Sequence, residues 1–156
     1  MGERRSDGGT VESLEDLYRL RYDPMVRLAA LLLGSDACAE EVVQDCFVRL
    51  GRRWDRVQQP VAYLRAAVVN ACRSEHRRSR VERRYRPAQE ESAQLGADEV
   101  WDALAGLAYR QRAALILRFY DDLPDEDIAS ALGCRPATVR SLVHRGLNQL
   151  REVLGP

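Results

Sequence analysis

Apolar residues spaced three and four apart recur along most of the chain, and this spacing restricts the fold more than any other feature. Val43, Cys46, Phe47 and Leu50 fall at i, i+3, i+4 and i+7. That pattern lays one apolar stripe along an α-helix and does not suit a strand, whose side chains alternate with a period of two. Helical patterns also run through residues 11–33 and 60–80, and through four stretches over 98–107, 109–120, 124–132 and 136–154. β-branched runs are scarce, which also favours helix over sheet. The predicted class is all-α. Gly34, Ser35 and Asp36 form a break with a helix cap at its end, followed by a helix over 37–53. Residues 54–59 read as a loop, and Pro60 suits the first turn of the next helix.

Residues 81–97 change character. They are polar, contain Pro87 and Gly96 and lack strong periodicity. We read them as a linker, partly helical at its basic start. The expected architecture is two small helical domains, 11–80 and 98–154, joined by a flexible linker over 81–97.

Composition narrows the function classes. Hydrophobic residues make up 46% of the 156, enough for a packed core. The longest apolar run, 28–33, is about a third of the ~18 residues that a membrane span needs. Residues 1–10 lack the apolar segment of a signal peptide, so a cytoplasmic protein is expected. All 24 basic residues are arginine, and the formal net charge is zero. The distribution is uneven, however: residues 49–86 hold twelve arginines against Asp55, Glu75 and Glu82, a net of +9. A local patch for an anionic partner follows. Cys38, Cys46, Cys72 and Cys134 form no C-x-x-C pair. The simplest reading makes them small buried apolar residues, with no metal site and no cofactor. No phosphate loop or nucleophile–base pairing is visible, so an enzyme is not expected.

Two segments carry the functional argument. In 125–147, Ala129, Gly133 and Val139 have the spacing of a helix-turn-helix: a small residue where helices cross, a glycine at a turn needing positive φ, and an apolar residue returning to the core. Val139, Val143, Leu147, Leu150 and Leu154 then cluster within ~80° of the second helix. Ala137, Arg140, Ser141, His144 and Arg145 point away, near the end from which a recognition helix reads bases. A solvated arginine face on a helical hairpin is the plainer alternative.

In 60–80, Val61, Leu64, Val68, Ala71 and Cys72 share one side, while Tyr63, Asn70, Arg73 and Arg77 lie nearly opposite. An aromatic can stack on an unpaired base, an amide can bond a base edge, and arginines bind phosphate. A soluble helix that is merely arginine-rich explains the pattern equally well. On the helix over 37–53, Glu40, Glu41, Gln44, Asp45 and Arg49 remain outside the apolar stripe, as a solvated face or a partner surface.

The runs AEEVVQDCFVRL (39–50) and AYLRAAVVNACRSEHRR (62–78) resemble domain 2 of extracytoplasmic-function sigma factors of the sigma-70 family, particularly actinobacterial ones. The run YRQRAALILRFYDDLPDEDIASALGCRPATVRSLVHRGLNQLR (109–151) resembles their domain 4. The resemblance implies promoter recognition, promoter melting and transcription initiation with core RNA polymerase. By it, Glu41, Gln44, Asp45 and Arg49 would dock on the polymerase β′ clamp, with the β subunit as a further contact. Tyr63, Asn70, Arg73 and Arg77, with the loop at 52–59, would melt and read the −10 element of promoter DNA. Arg140, Ser141, His144 and Arg145 would face the −35 element. An anti-sigma factor is implied as a regulatory partner.

Four residues depart from the family pattern. Tyr63 stands where tryptophan is frequent. Arg135 stands where a serine or threonine usually caps the recognition helix. Leu142 replaces a common arginine, and is expected either to pack against the first helix of the motif or to touch a thymine methyl. Gly146 replaces alanine and should loosen the helix by ~1 kcal/mol. The alternative function is a helix-turn-helix transcriptional regulator that does not act as a sigma subunit. It leaves the Gln44–Asp45 and Tyr63–Asn70 faces without a task.

Overall fold

The computed structural model describes residues 11–85 and 99–155. Among them are seven α-helices: α1 (Leu14–Leu33), α2 (Asp36–Arg52), α3 (Pro60–Tyr85), α4 (Glu99–Ala105), α5 (Tyr109–Phe119), α6 (Asp125–Leu132) and α7 (Pro136–Leu154). A 3₁₀ turn, Trp54–Arg56, links α2 to α3. Most of the expected linker lies outside the described residues, but its basic start continues α3 to Tyr85.

Local chemistry sets the first helix ends. The Ser13 hydroxyl accepts from the Asp16 amide at 3.1 Å, satisfying a first-turn donor of α1. Glu15 and Asp16 sit in that turn, where the helix dipole favours negative charge. α1 ends at Gly34, whose φ of +74° suits glycine and whose amide bonds the Ala30 carbonyl at 2.7 Å. Ser35 then caps α2 by accepting from the Cys38 amide. The cap is therefore Ser35 rather than Asp36, one residue earlier than expected. Arg49 and Arg52 lie in the last turn of α2, against the negative end of its dipole.

α1, α2 and α3 pack around Leu17, Met25, Leu28, Leu32, Val43, Leu50, Leu64 and Val68, all almost fully buried. Each such aliphatic side chain contributes ~1.5–3 kcal/mol by leaving water. α5, α6 and α7 close a second body on Leu117, Ile128 and Val139. The two bodies also share one apolar cluster: α5 and α6 lie against α3, and α5 reaches α1.

Polar contacts cross this seam. The Tyr109 hydroxyl donates to the Val69 carbonyl at 2.7 Å, and its ring lies tilted 5.5 Å from that of His76. Arg65 Nε donates to the Asp121 carboxylate at 3.2 Å. Trp101 of α4 covers Gly34 so closely that a Cβ there would meet its ring at 2.6 Å. Arg112 of α5 reaches the Leu32 carbonyl at 2.9 Å. The direct contact between the two bodies emerges only in three dimensions.

Candidate nucleic-acid and polymerase interface

Three polar faces stand on helices whose opposite sides are core. The first is on α2, where Val43, Cys46, Phe47 and Leu50 turn inward and Glu41, Gln44, Asp45 and Arg49 are exposed. The structure adds residues that the sequence reasoning passed over. Gln44 Nε2 donates to the Tyr22 hydroxyl at 3.2 Å. Tyr22 stacks on Tyr18 with ring centroids 4.8 Å apart, and Tyr18 meets Phe47 edge-on at 5.0 Å. The face is thus a polar row beside an aromatic cluster, with Val48 also 55% exposed. The four-residue spacing of Tyr18 and Tyr22 was the available clue.

The second face is on α3. Asn70 and Arg77 are exposed and Arg73 is half-buried. Tyr63 is also half-buried and rests against the core cluster, so it is not the free aromatic expected from its helical angle. Beside it a crevice of about 700 Å³ opens, walled by Arg53, Arg56 and Gln59 near the 3₁₀ turn and by Ser130 of α6. An element of the second body thus borders the loop between α2 and α3.

The third face is on α7. The turn before it follows the expected chemistry. Gly133 has φ of +67°, and the Cys134 amide bonds the Ala129 carbonyl at 3.0 Å. Arg135, lacking a side-chain acceptor, makes no capping bond; Pro136 at the start removes one donor that would need a partner. Arg140, Ser141, His144 and Arg145 are exposed together, with Val139 buried behind them. His144 is within 3.2 Å of the Asn148 amide nitrogen. Arg140 lies 3.6 Å from Asp125 of α6, whose other oxygen pairs closely with Arg118 of α5.

The unusual residues of α7 find structural reasons. Leu142 is half-buried and packs against the core, which is the packing role among its two readings. Gly146 is buried, and a Cβ there would come within 2.9 Å of Leu115 Cδ1. Its cost in helix propensity therefore accompanies close approach of α7 to α5.

The cysteines divide. Cys46 and Cys72 are buried, and desolvation pushes their thiols up to about 11 and about 12. They stay uncharged at neutral pH and act as core residues. Cys38 is exposed and Cys134 half-buried, so the all-buried expectation fails for these two. Cys38 lies in the first turn of α2, where apolar packing does not reach it.

A basic helical body packed on a helix-turn-helix body defines a two-part DNA-binding protein. The family model for sigma-70 region 2 matches residues 17–82, and that for sigma-70 region 4 matches 97–150. The RNA polymerase sigma-E factor of Streptomyces avermitilis is 33% identical, with 94% of this chain and 87% of the relative aligned. The ECF RNA polymerase sigma factor SigE of Mycolicibacterium smegmatis is 30% identical over 95% of this chain and 64% of its own length. The sigma factor RpoE of Bartonella quintana, solved in complex with the anti-sigma factor NepR, shares the fold. Its TM-score is 0.73 at 24% identity, covering 90% of this chain and 95% of that one. The chain belongs to the extracytoplasmic-function group of the sigma-70 family and is an RNA polymerase sigma factor. Among the described residues, no helix is long and apolar enough to cross a membrane.

Proposed function

We propose that the three faces divide the work of initiation among α2, α3 and α7, with functional segments at 11–80 and 98–154 and a strap at 81–97. The carrying observation is that each face exposes polar side chains in register on a helix whose back is core. Glu41, Gln44, Asp45 and Arg49, extended by Tyr18 and Tyr22, dock core polymerase at its β′ clamp. Asn70, Arg73 and Arg77 hold the −10 strand while Tyr63 stacks at the edge of the melted segment. Arg140, Ser141, His144 and Arg145 meet the −35 element. The protein works in the cytoplasm and is held in check by an anti-sigma factor. These assignments draw on family resemblance together with exposure. In vitro transcription with purified core polymerase and a promoter library tests the whole; absence of promoter-dependent transcripts would sink it.

Asp45→Arg should weaken association with core polymerase on the order of tenfold, or ~1.4 kcal/mol. Asp45 is exposed on α2, so the melting temperature should hold. Equal core affinity in a fluorescence titration would remove α2 from the clamp. Because Tyr63 rests on the core, alanine there would mix stability with function; Tyr63→Leu keeps more of the apolar volume. Stacking is worth ~1–3 kcal/mol per base, so open-complex formation should fall roughly 5- to 150-fold at unchanged core binding. Permanganate footprinting reads it, and wild-type melting by this variant would remove the stacking role.

A further inference from the structure

Asp125 stands outside the polar face of α7 and was not among the residues singled out from sequence. It is the first residue of α6, and only 17% of its side chain is exposed. Its Oδ1 pairs closely with Arg118 Nη1 on α5. Its Oδ2 lies 3.6 Å from Arg140 Nη1 on α7. One carboxylate therefore joins three helices of the second body.

The two ion pairs differ in kind. The contact with Arg118 is a close ion pair, whereas that with Arg140 is longer than a hydrogen bond. Arg140 is 62% exposed, so its direction is biased by the fixed negative charge while its N–H donors remain available. An arginine reading guanine needs two parallel donors in one orientation. A free arginine of many rotamers loses that orientation and also reaches phosphates, which carry no sequence information.

We propose that Asp125 is a positioning residue for promoter selectivity: its carboxylate, anchored by Arg118, aims Arg140 at one base of the −35 element and restrains it from non-specific phosphate contact. The inference rests on the reading of α7 as the −35 helix. It predicts opposite effects on selectivity and non-specific affinity when the charge is removed. Asp125→Asn loses aim at one base while gaining attraction for DNA in general.

The test uses holoenzyme assembled from the full chain and core polymerase, with a promoter selected by the wild type from a library randomised at the −35 element. Initial binding to every single-base −35 variant is measured for wild type, Asp125→Asn, Arg140→Ala, the double variant and Asp125→Glu. Arg140→Ala is expected to reduce discrimination at one position by about tenfold or more. Asp125→Asn should reduce it there about 2- to 5-fold, the scale of an exposed ion pair, and leave other positions unchanged. It should also bind unrelated duplex more tightly, with a salt slope steeper by about one unit as Arg140 turns to phosphate. The double variant should match Arg140→Ala, and Asp125→Glu should restore discrimination. Each discrimination value is a ratio on one preparation, so a partly unfolded fraction cancels. Loss spread evenly over all −35 positions would make Asp125 merely structural and overturn the proposal. Tighter binding with discrimination intact would make Asp125 a competitor of DNA for Arg140, and would overturn it as well. If Arg140→Ala matches wild type on every variant, the assignment of Arg140 fails first and the inference with it.

Discussion

Arg112→Met should destabilise the chain by about 3 kcal/mol, the scale of leaving buried hydrogen-bond acceptors without donors. The Arg112 side chain is buried with its residue 3% exposed, and it meets carbonyls and the His76 ring nitrogen instead of carboxylates. Nε donates to Leu104, Nη1 to Leu32, and Nη2 to Ala105 and Leu107, at 2.9–3.4 Å. Leu104 and Ala105 end α4, and Leu32 lies in the last turn of α1. Carbonyls at helix C-termini lack helical partners and carry partial negative charge, so one guanidinium serves two helix ends. Burial lowers the pKa of Arg112 while neighbouring Tyr109 raises it, and the donors to carbonyls offset part of the desolvation. Methionine keeps much of the hydrocarbon stem but takes the side-chain donor from the buried contacts at Leu32 and Leu107, while Leu104 keeps the Leu107 amide. Against a typical total of ~5–15 kcal/mol, the loss is large. Arg112→Lys keeps the charge without the planar fork and should fall between. Urea unfolding checks both, and a midpoint for Arg112→Met equal to wild type would falsify the assignment.

The next largest effect is expected at Gly34. Alanine there meets two penalties. The left-handed backbone, φ of +74°, costs a residue bearing a Cβ ~1–2 kcal/mol. The added methyl would also sit 2.6 Å from Trp101 Cζ2, forcing the indole to move. Gly133 is the internal control: its φ is +67°, but nothing lies within 4 Å of its missing Cβ. Gly34→Ala should therefore cost about 2–4 kcal/mol, combining backbone strain with overpacking, and Gly133→Ala only the backbone part. Thermal melts give the difference, and tryptophan fluorescence should shift in the Gly34 variant alone. Equal losses would mean that Trp101 does not bear on Gly34 in solution. Because Trp101 and Gly34 lie on opposite sides of the seam, the same pair reports on contact between the two bodies.

Much of this protein was legible without coordinates. The helices over 37–53 and 60–80 follow from three- and four-residue spacing, because a helix must bury a continuous stripe. The turn at Gly133 follows from the steric freedom of one residue type. The outward set on α7 follows from angle alone. Tyr63 misled for a physical reason: helical angle locates a side chain relative to its own helix, not relative to neighbouring elements, and the core cluster reaches round to it. Cys38 misled because residue type gives only an average tendency to be buried.

Sequence by itself determined the all-α class, the basic bias of 49–86 and the three polar faces, since each depends on spacing or composition within one segment. Tertiary structure decided what depends on residues far apart in the chain. It packed α5 and α6 onto α3, and brought Arg112 to Leu32 and Asp121 to Arg65. It gave Gly146 a packing role and placed the Asp125 carboxylate between Arg118 and Arg140. Periodicity records how a residue faces its own helix axis; which distant group it meets depends on how helices cross and on where buried donors and acceptors can be satisfied together.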